Sequence, residues 1–176
     1  FDLVVTSPGL PPGHVFHRQA ALANVPIWGE LELAWRIRPK SGAAPWLCVT
    51  GTNGKTTTTL MLDSILRASG FRSEAAGNIG HSLVGVVMHD KLDVIAVEVG
   101  APQLPFSHTL SPWASVCLNL APDHIDHFGD FDQYRNAKAR IYERTQCAAV
   151  YNGHEEATMS MVESADVLEG CRAIGF

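Results

Sequence analysis

The residues best equipped for chemistry begin at the end of the apolar run Trp46–Val49. Thr50-Gly51-Thr52-Asn53-Gly54-Lys55-Thr56-Thr57 follows that run and opens directly into a segment with helical spacing. Glycines let a backbone turn tightly enough for its N–H groups to point inward. A helix N-terminus adds positive potential, and a lysine brings a mobile cation to β- and γ-phosphates. Gly51, Thr52, Asn53, Gly54, Lys55, Thr56 and Thr57 therefore read as a phosphate cradle, with the Thr56 hydroxyl available to Mg²⁺. The strict G-x-x-x-x-G-K-[ST] spacing is not met, because Val49 stands where its first glycine would be. An ordinary glycine turn with a solvated lysine is the other reading of these residues.

Further along, alternation in Asp93–Val99 puts Val94, Ala96 and Glu98 on one face, so a charge appears at the carboxyl end of an otherwise apolar strand. Open α/β sheets place their ligand crevice at that end. Glu98 is thus a candidate Mg²⁺ ligand, or else the cap of a neighbouring helix. The run Ala114–Leu120 likewise ends in Asn119 and then Asp123-His124-Ile125-Asp126-His127. Hard cations take oxygen ligands, and a neutral imidazole can complete such a site beside carboxylates, which makes His124 a second candidate. His127 and the other histidines read as surface or core residues. In the next segment Phe131, Tyr134, Lys138, Ile141 and Thr145 recur at steps of three and four, which places Lys138 inside an apolar stripe. Its stem could pack while the ammonium snorkels outward. Alternatively, partial burial lowers its pKa and leaves a nucleophilic amine.

Positioning these groups calls for alternating strands and helices. The spacing predicts strands at Leu3–Thr6, Val25–Trp28, Trp46–Val49, Asp93–Val99, Ala114–Leu120 and Ala148–Tyr151. It predicts helices at His14–Ala23, Glu30–Ile37, Thr56–Ser69 (stopped by Gly70) and Asp130–Thr145, then a weaker helix and a terminal strand. The expected fold is α/β, a three-layer and mostly parallel sheet carrying a phosphate loop. Pro39-Lys40-Ser41-Gly42 is a candidate linker, which divides the chain into residues 1–38 and 39–176.

A length of 176 residues supports one sizeable core with part of another attached. The formal charge of −5 argues against a general grip on nucleic acid or anionic lipid, so phosphate binding must be local. Cys48, Cys117, Cys147 and Cys171 are widely spaced and read as reduced thiols, which fits a cytoplasmic compartment. No apolar stretch approaches the roughly 20 residues that span a bilayer. The start at Phe1 and the end inside a strand-like run lead to the expectation of a piece of a longer protein.

Together these residues resemble the Mur ligase family, whose members share Gly-Thr-x-Gly-Lys-Thr-Thr, a Gly-Asn-Ile-Gly segment and a later Asp-His loop. Here these are Gly51–Thr57, Gly77-Asn78-Ile79-Gly80 and Leu118–Asp126. Ser7-Pro8-Gly9, Gly29–Leu33 and Tyr134–Tyr142 are similar to the D-glutamate-adding branch. The resemblance implies three domains: a Rossmann-like UDP-binding domain whose last part is residues 1–38, a central ATP-binding domain from residue 39 onward, and a C-terminal domain lying outside this chain. It implies ATP-dependent, ADP-forming ligation of D-glutamate to UDP-N-acetylmuramoyl-L-alanine through an acyl phosphate in peptidoglycan precursor synthesis, by a monomer.

By the same resemblance Lys55 holds ATP phosphates, Thr56 and Glu98 bind one Mg²⁺, and His124 binds a second that is bridged by a carbamate on Lys138. Lys55, His124 and Lys138 are then the catalytic residues, while Asn78 and the turn Ser7, Pro8, Gly9 contact the UDP-muramoyl substrate. One departure stands out. Where the family usually has Glu-x-Ser-Ser-Phe-Gln-Leu, this chain has Glu98-Val99-Gly100-Ala101-Pro102-Gln103-Leu104, so contacts made by the first serine cannot pass to Gly100. Rival expectations are another Mur ligase, a folylpolyglutamate-synthase-like ligase, or a nucleotide-binding module without catalysis.

Overall fold

The computed structural model describes residues 1–89 and 91–176. A small unit comes first: β1 (Val4–Val5), α1 (Val15–Leu22) and β2 (Ile27–Trp28), with the two strands parallel and Val4 opposite Ile27. After it come α2 (Glu30–Ile37), β3 (Trp46–Thr50), α3 (Lys55–Ala68), β4 (Ser73–Gly77), α4 (Leu83–His89) and β5 (Val94–Glu98). A 3-10 segment, Ala101–Phe106, leads to β6 (Ala114–Cys117), α5 (Ile125–Phe128), α6 (Phe131–Ala139), β7 (Ala148–Tyr151), α7 (Glu156–Glu163) and β8 (Arg172–Gly175).

The six strands from β3 onward form one sheet in the order β4-β5-β3-β6-β7-β8, and every pairing in it is parallel. Parallel strands need helical crossovers, and crossovers cover the sheet, which explains why all five residues of β5 are buried rather than alternating. β3 lies between β5 and β6, with Cys48 opposite both Val97 and Ser115. The connection leaving β3 runs to β4 on one side, and that leaving β6 runs to β7 on the other. The strand order therefore reverses between β3 and β6, where open sheets form their crevice.

The core continues beyond the sheet. Leu31, Ala34 and Trp35 of α2 are buried in the same cluster as Trp46, Ile95, Val97, Leu104 and Ile141. Trp35 meets Trp46 edge-on, with ring centroids 5.0 Å apart. Residues 30–37, grouped by sequence with the segment before the linker, thus pack as part of the large sheet's own core. Four cysteines are free: Cys48 and Cys117 are buried, while Cys147 and Cys171 are half-buried. Among the described residues no helix is long and apolar enough to cross a membrane.

Several elements differ in extent from the pattern. β6 stops at Cys117 because the chain then turns toward the crevice, and α6 gives way after Ala139 to a 3-10 turn over Arg140–Tyr142. β4, α4, the Ala101–Phe106 segment and α5 lie outside the elements that the spacing predicts.

One buried charge ties α2 to the far side of the 3-10 segment. Glu32 is fully buried, and its carboxylate accepts from His108 N–H (2.6 Å), Thr109 N–H (2.8 Å), the Thr109 hydroxyl (2.7 Å) and Arg36 Nε (2.5 Å). Burial alone would raise its pKa, but the bonds from Thr109, Arg36 and His108 outweigh it and hold the carboxyl below its ordinary value. A carboxyl depressed in the folded state stabilises fully above the ordinary glutamate range, and that contribution is lost as pH falls through the folded pKa. Glu32→Gln should therefore cost about 2–4 kcal/mol near neutral pH. Urea unfolding across pH should show that the difference from wild type shrinks on acidification. A difference that stays constant down to acid pH would remove the charge of Glu32 from this account.

Candidate nucleotide and metal site

β3 delivers Thr50 to the crevice, where its hydroxyl donates to the Val99 carbonyl at 2.8 Å. The chain then turns through Gly51 (φ +153°) and Gly54 (φ +81°) into α3. A Cβ on Gly51 would lie 3.1 Å from Leu118 Cβ and 3.3 Å from the Asn53 carbonyl, so the turn is close-packed as well as left-handed. Gly54 gives α3 no side-chain cap. The first N–H groups of a helix have no intrahelical partner, and an uncapped start of this kind suits an anion. Thr56 and Thr57 stand exposed in this first turn. Thr52 and Asn53 differ from the sequence expectation: their N–H groups donate to the Asn119 carbonyl (3.0 Å) and to Asn119 Oδ1 (2.8 Å), not toward the cradle.

Lys55 folds back over the loop, donating to the carbonyls of Gly51 (3.0 Å) and Thr52 (2.9 Å). Lys138 approaches the same Gly51 carbonyl from α6 at 2.7 Å, with Thr50 Oγ1 at 3.4 Å. Only 1% of Lys138 is exposed, and its ammonium lies 4.9 Å from the Tyr134 ring centroid. Burial, with Lys55 nearby, pushes its pKa down to about 8, against the opposing pull of Cys117 and Asp123. At neutral pH about a tenth of such an amine is uncharged. The side chain points inward, away from the snorkelling arrangement.

β5 ends in Glu98, which is 1% exposed. Its Oε1 accepts from Asn78 Nδ2 at 2.9 Å, whereas Oε2 is buried with no hydrogen-bond partner. Gly77 permits that pairing. It lies opposite Glu98 in the β4–β5 register with φ +102°, and a Cβ there would be 2.3 Å from the Glu98 carbonyl oxygen. Glycine at 77 lets the strands end in contact, so that the Asn78 N–H reaches the same carbonyl at 3.0 Å.

The chain after β6 returns to the crevice. His124 sits there in the left-handed region (φ +52°), with Nε2 3.5 Å from Asp123 Oδ2. Lys55, Asn78, Gly100, Ala101, Pro102, Asp123, His124, Tyr134 and Lys138 line one cleft of about 150 Å³. Gly100 is closely fitted: its N–H donates to Gln103 Oε1 at 2.8 Å, and a Cβ would lie 3.2 Å from Asn78 Oδ1. The departure at Gly100 thus leaves room for Asn78. Tyr134, read from sequence only as part of an apolar stripe, is a wall of this cleft. The available signal was its place one helical turn before Lys138.

Ser7-Pro8-Gly9 lies elsewhere. Ser7 Oγ accepts from the Gly9 N–H at 3.3 Å, and Ser7 lines a separate hollow with Val4, Thr6 and His17. The structure does not bring this turn into the Lys55–Lys138 cleft.

Among the described residues no three His, Cys, Asp or Glu side chains form a metal cluster. Glu98 and His124 alone would not enclose a cation. The unpartnered, buried Oε2 of Glu98 nevertheless fits one, because a carboxylate oxygen without a donor is costly unless a cation completes it. The remaining ligands would have to come from the Thr56 hydroxyl and from Lys138.

Residues 49–172 match the family described as Mur ligase middle domain. UDP-N-acetylmuramoylalanine--D-glutamate ligase of Streptomyces avermitilis is 51% identical over 176 residues, covering 99% of this chain and 38% of that protein. The chain thus spans well under half the length of that relative. In fold it is similar to a UDP-N-acetylmuramoyl-L-alanyl-D-glutamate--2,6-diaminopimelate ligase, with TM-score 0.65, 20% identity, and 97% of this chain and 45% of that chain covered. It is also similar to E. coli FolC in complex with DHPP and ADP, with TM-score 0.55, 18% identity, and coverage of 82% and 45%. With its all-parallel sheet, its Gly51–Thr57 loop and the match over residues 49–172, this chain belongs to the Mur ligase family.

Proposed function

We propose that this chain is the nucleotide-binding part of an ADP-forming ligase that joins D-glutamate to UDP-N-acetylmuramoyl-L-alanine. The observation carrying this reading is the convergence of Lys55, Asn78, His124 and Lys138 on one cleft beside an uncapped helix N-terminus. The identity to D-glutamate ligases supports the choice of substrates.

In this reading ATP lays its phosphates on the N–H groups at the start of α3. Lys55 leaves the Gly51 and Thr52 carbonyls to meet them, offsetting charge as the terminal phosphoryl passes to the substrate carboxylate. ADP departs, the D-glutamate amine attacks the acyl phosphate, and phosphate is expelled as the amide forms. Asn78 would orient the muramoyl substrate, and the cleft walls Ala101, Pro102 and Tyr134 would exclude water from the acyl phosphate. Thr56, Glu98, His124 and Lys138 would hold two Mg²⁺ ions, which supply electrostatic stabilisation of the transferring phosphoryl. Ser7, Pro8 and Gly9 would contact the uridine-linked part of the substrate from the N-terminal unit.

Lys138 enters as a carbamate. Its neutral amine attacks CO₂, a C–N bond forms, one proton leaves to solvent, and a carboxylate with two oxygens replaces the ammonium. A depressed pKa makes that attack possible near neutral pH. Conversion also turns a repulsive neighbour of Lys55 into an attractive one.

Two outcomes follow for the full-length ligase. Lys138→Arg keeps charge and most of the stem but cannot lose a proton to capture CO₂, so it should fold and lose activity by about 10²-fold or more. Wild type should lose turnover in CO₂-depleted buffer and recover with bicarbonate; an arginine variant of normal activity would exclude the carbamate. Lys55→Ala should reduce turnover by at least about 10²-fold while shifting the thermal midpoint little, because Lys55 is partly exposed and bonds only to its own loop. Near-normal ATP-dependent ligation by that variant would take the loop out of the mechanism.

A further inference from the structure

The nucleotide reading leaves out Asn119, although three bonds join this residue to the phosphate loop. Its carbonyl accepts from the Thr52 N–H at 3.0 Å, its Oδ1 accepts from the Asn53 N–H at 2.8 Å, and its Nδ2 donates to the Asn53 carbonyl at 3.0 Å. The side-chain amide therefore pairs with both polar groups of one residue, as a neighbouring strand would. Nearby, the Thr52 hydroxyl accepts from Ala121 N–H at 3.0 Å and donates to its carbonyl at 3.1 Å, while Tyr134 Oη lies 3.0 Å away.

The place of this clasp matters. β3 and β6 are adjacent, but their outgoing connections diverge, so past Thr50 and Cys117 the ladder gives way to the backbone bonds from Leu118 N–H to the Thr50 carbonyl (3.0 Å) and from Thr52 N–H to the Asn119 carbonyl, and then to the Asn119 side chain. The stretch Thr52–Asn53 lies between glycines at φ +153° and +81°, which have more backbone freedom than other residues. Left alone, such a stretch could turn its own N–H groups into the cradle or out of it.

We propose that Asn119 is a positioning residue of the nucleotide site: it holds Thr52 and Asn53 turned away, so that the N–H groups at Gly54–Thr57 alone face the phosphates. The inference rests on the reading of this loop as an ATP site. It also links that loop to the Asp123–His124 segment, which follows Asn119 on the same excursion from β6.

The test uses the full-length ligase with Asn119→Ala, Asn119→Asp and, as a control, Asn152→Ala. Aspartate keeps the shape and the acceptor for Asn53 N–H but cannot donate to the Asn53 carbonyl. Asn152 donates to the Leu118 carbonyl at 3.3 Å, so its loss disturbs the same segment without touching the phosphate loop. Both Asn119 variants should raise the KM for ATP and the dissociation constant for Mg-ADP by at least about tenfold, leaving the KM for the muramoyl substrate within about twofold. Asn152→Ala should leave all three near wild type. Normal ATP parameters in Asn119→Ala would overturn the proposal, and so would a failure of both Asn119 variants to fold, which would make the residue structural. A wild-type ligase that binds no Mg-ADP would instead overturn the ATP reading itself.

Discussion

Two ammonium groups, those of Lys55 and Lys138, converge on the carbonyl oxygen of Gly51. The shared acceptor sets two positive charges close together, and Lys138, 1% exposed, has far less solvent to screen its charge than the partly exposed Lys55, which also reaches the Thr52 carbonyl. Burial first, and then the charge of Lys55, hold the Lys138 ammonium below the ordinary lysine range. The rest of the site is arranged around this conflict: the Tyr134 ring lies against the Lys138 ammonium, and the Glu98 carboxylate closes the neighbouring strand end. Chemistry that neutralises or inverts the charge on Lys138 resolves it.

Precision at this point depends on contacts far from it. Gly77 lets β4 and β5 end close enough for Asn78 to reach Glu98, and Gly100 leaves that asparagine room. The buried Glu32 carboxylate fixes His108 and Thr109, just beyond the 3-10 segment that begins at the cleft wall. Phe128, Tyr134, Ala137 and Ala101 form a separate small cluster, two of whose members, Ala101 and Tyr134, also line the cleft, with Leu120 and Phe131 packed against it. A cleft backed by core side chains such as Tyr134 and Ala101 can hold the groups on its loops in one geometry.

Much of this was legible in the residues. Apolar runs at Trp46–Val49, Asp93–Val99 and Ala148–Tyr151 correspond to strands because central parallel strands are buried on both faces and carry β-branched residues. β4 escaped notice because Ser73-Glu74-Ala75-Ala76-Gly77 has no β-branched or aromatic residue; its conformation is imposed by pairing with β5. Pro102 and Pro105 hid the Ala101–Phe106 turn, since proline suits a 3-10 segment but argues against a longer helix. Strand ends pointed Lys55 and His124 to the crevice and helical spacing buried Lys138, while the meeting of all three came only from the resemblance to the Mur ligase family. The diversion of the Thr52 and Asn53 N–H groups depended on Asn119, a partner more than sixty residues away, and no local pattern carries that.

The parallel sheet also constrains how the chain reaches this structure. No strand of the large sheet pairs with one nearby in sequence: the shortest separation is between Ser73 and Val94, and β3 must wait for Ala114 before its second neighbour exists. Each pairing closes a long loop before any ladder hydrogen bond compensates for the lost entropy. Folding by such a route is slow, because non-local contacts must form together. During that interval the apolar strands β3 and β5 are unpaired and β-prone, so the segments most deeply enclosed in the finished sheet are also the most exposed to association with other chains on the way there.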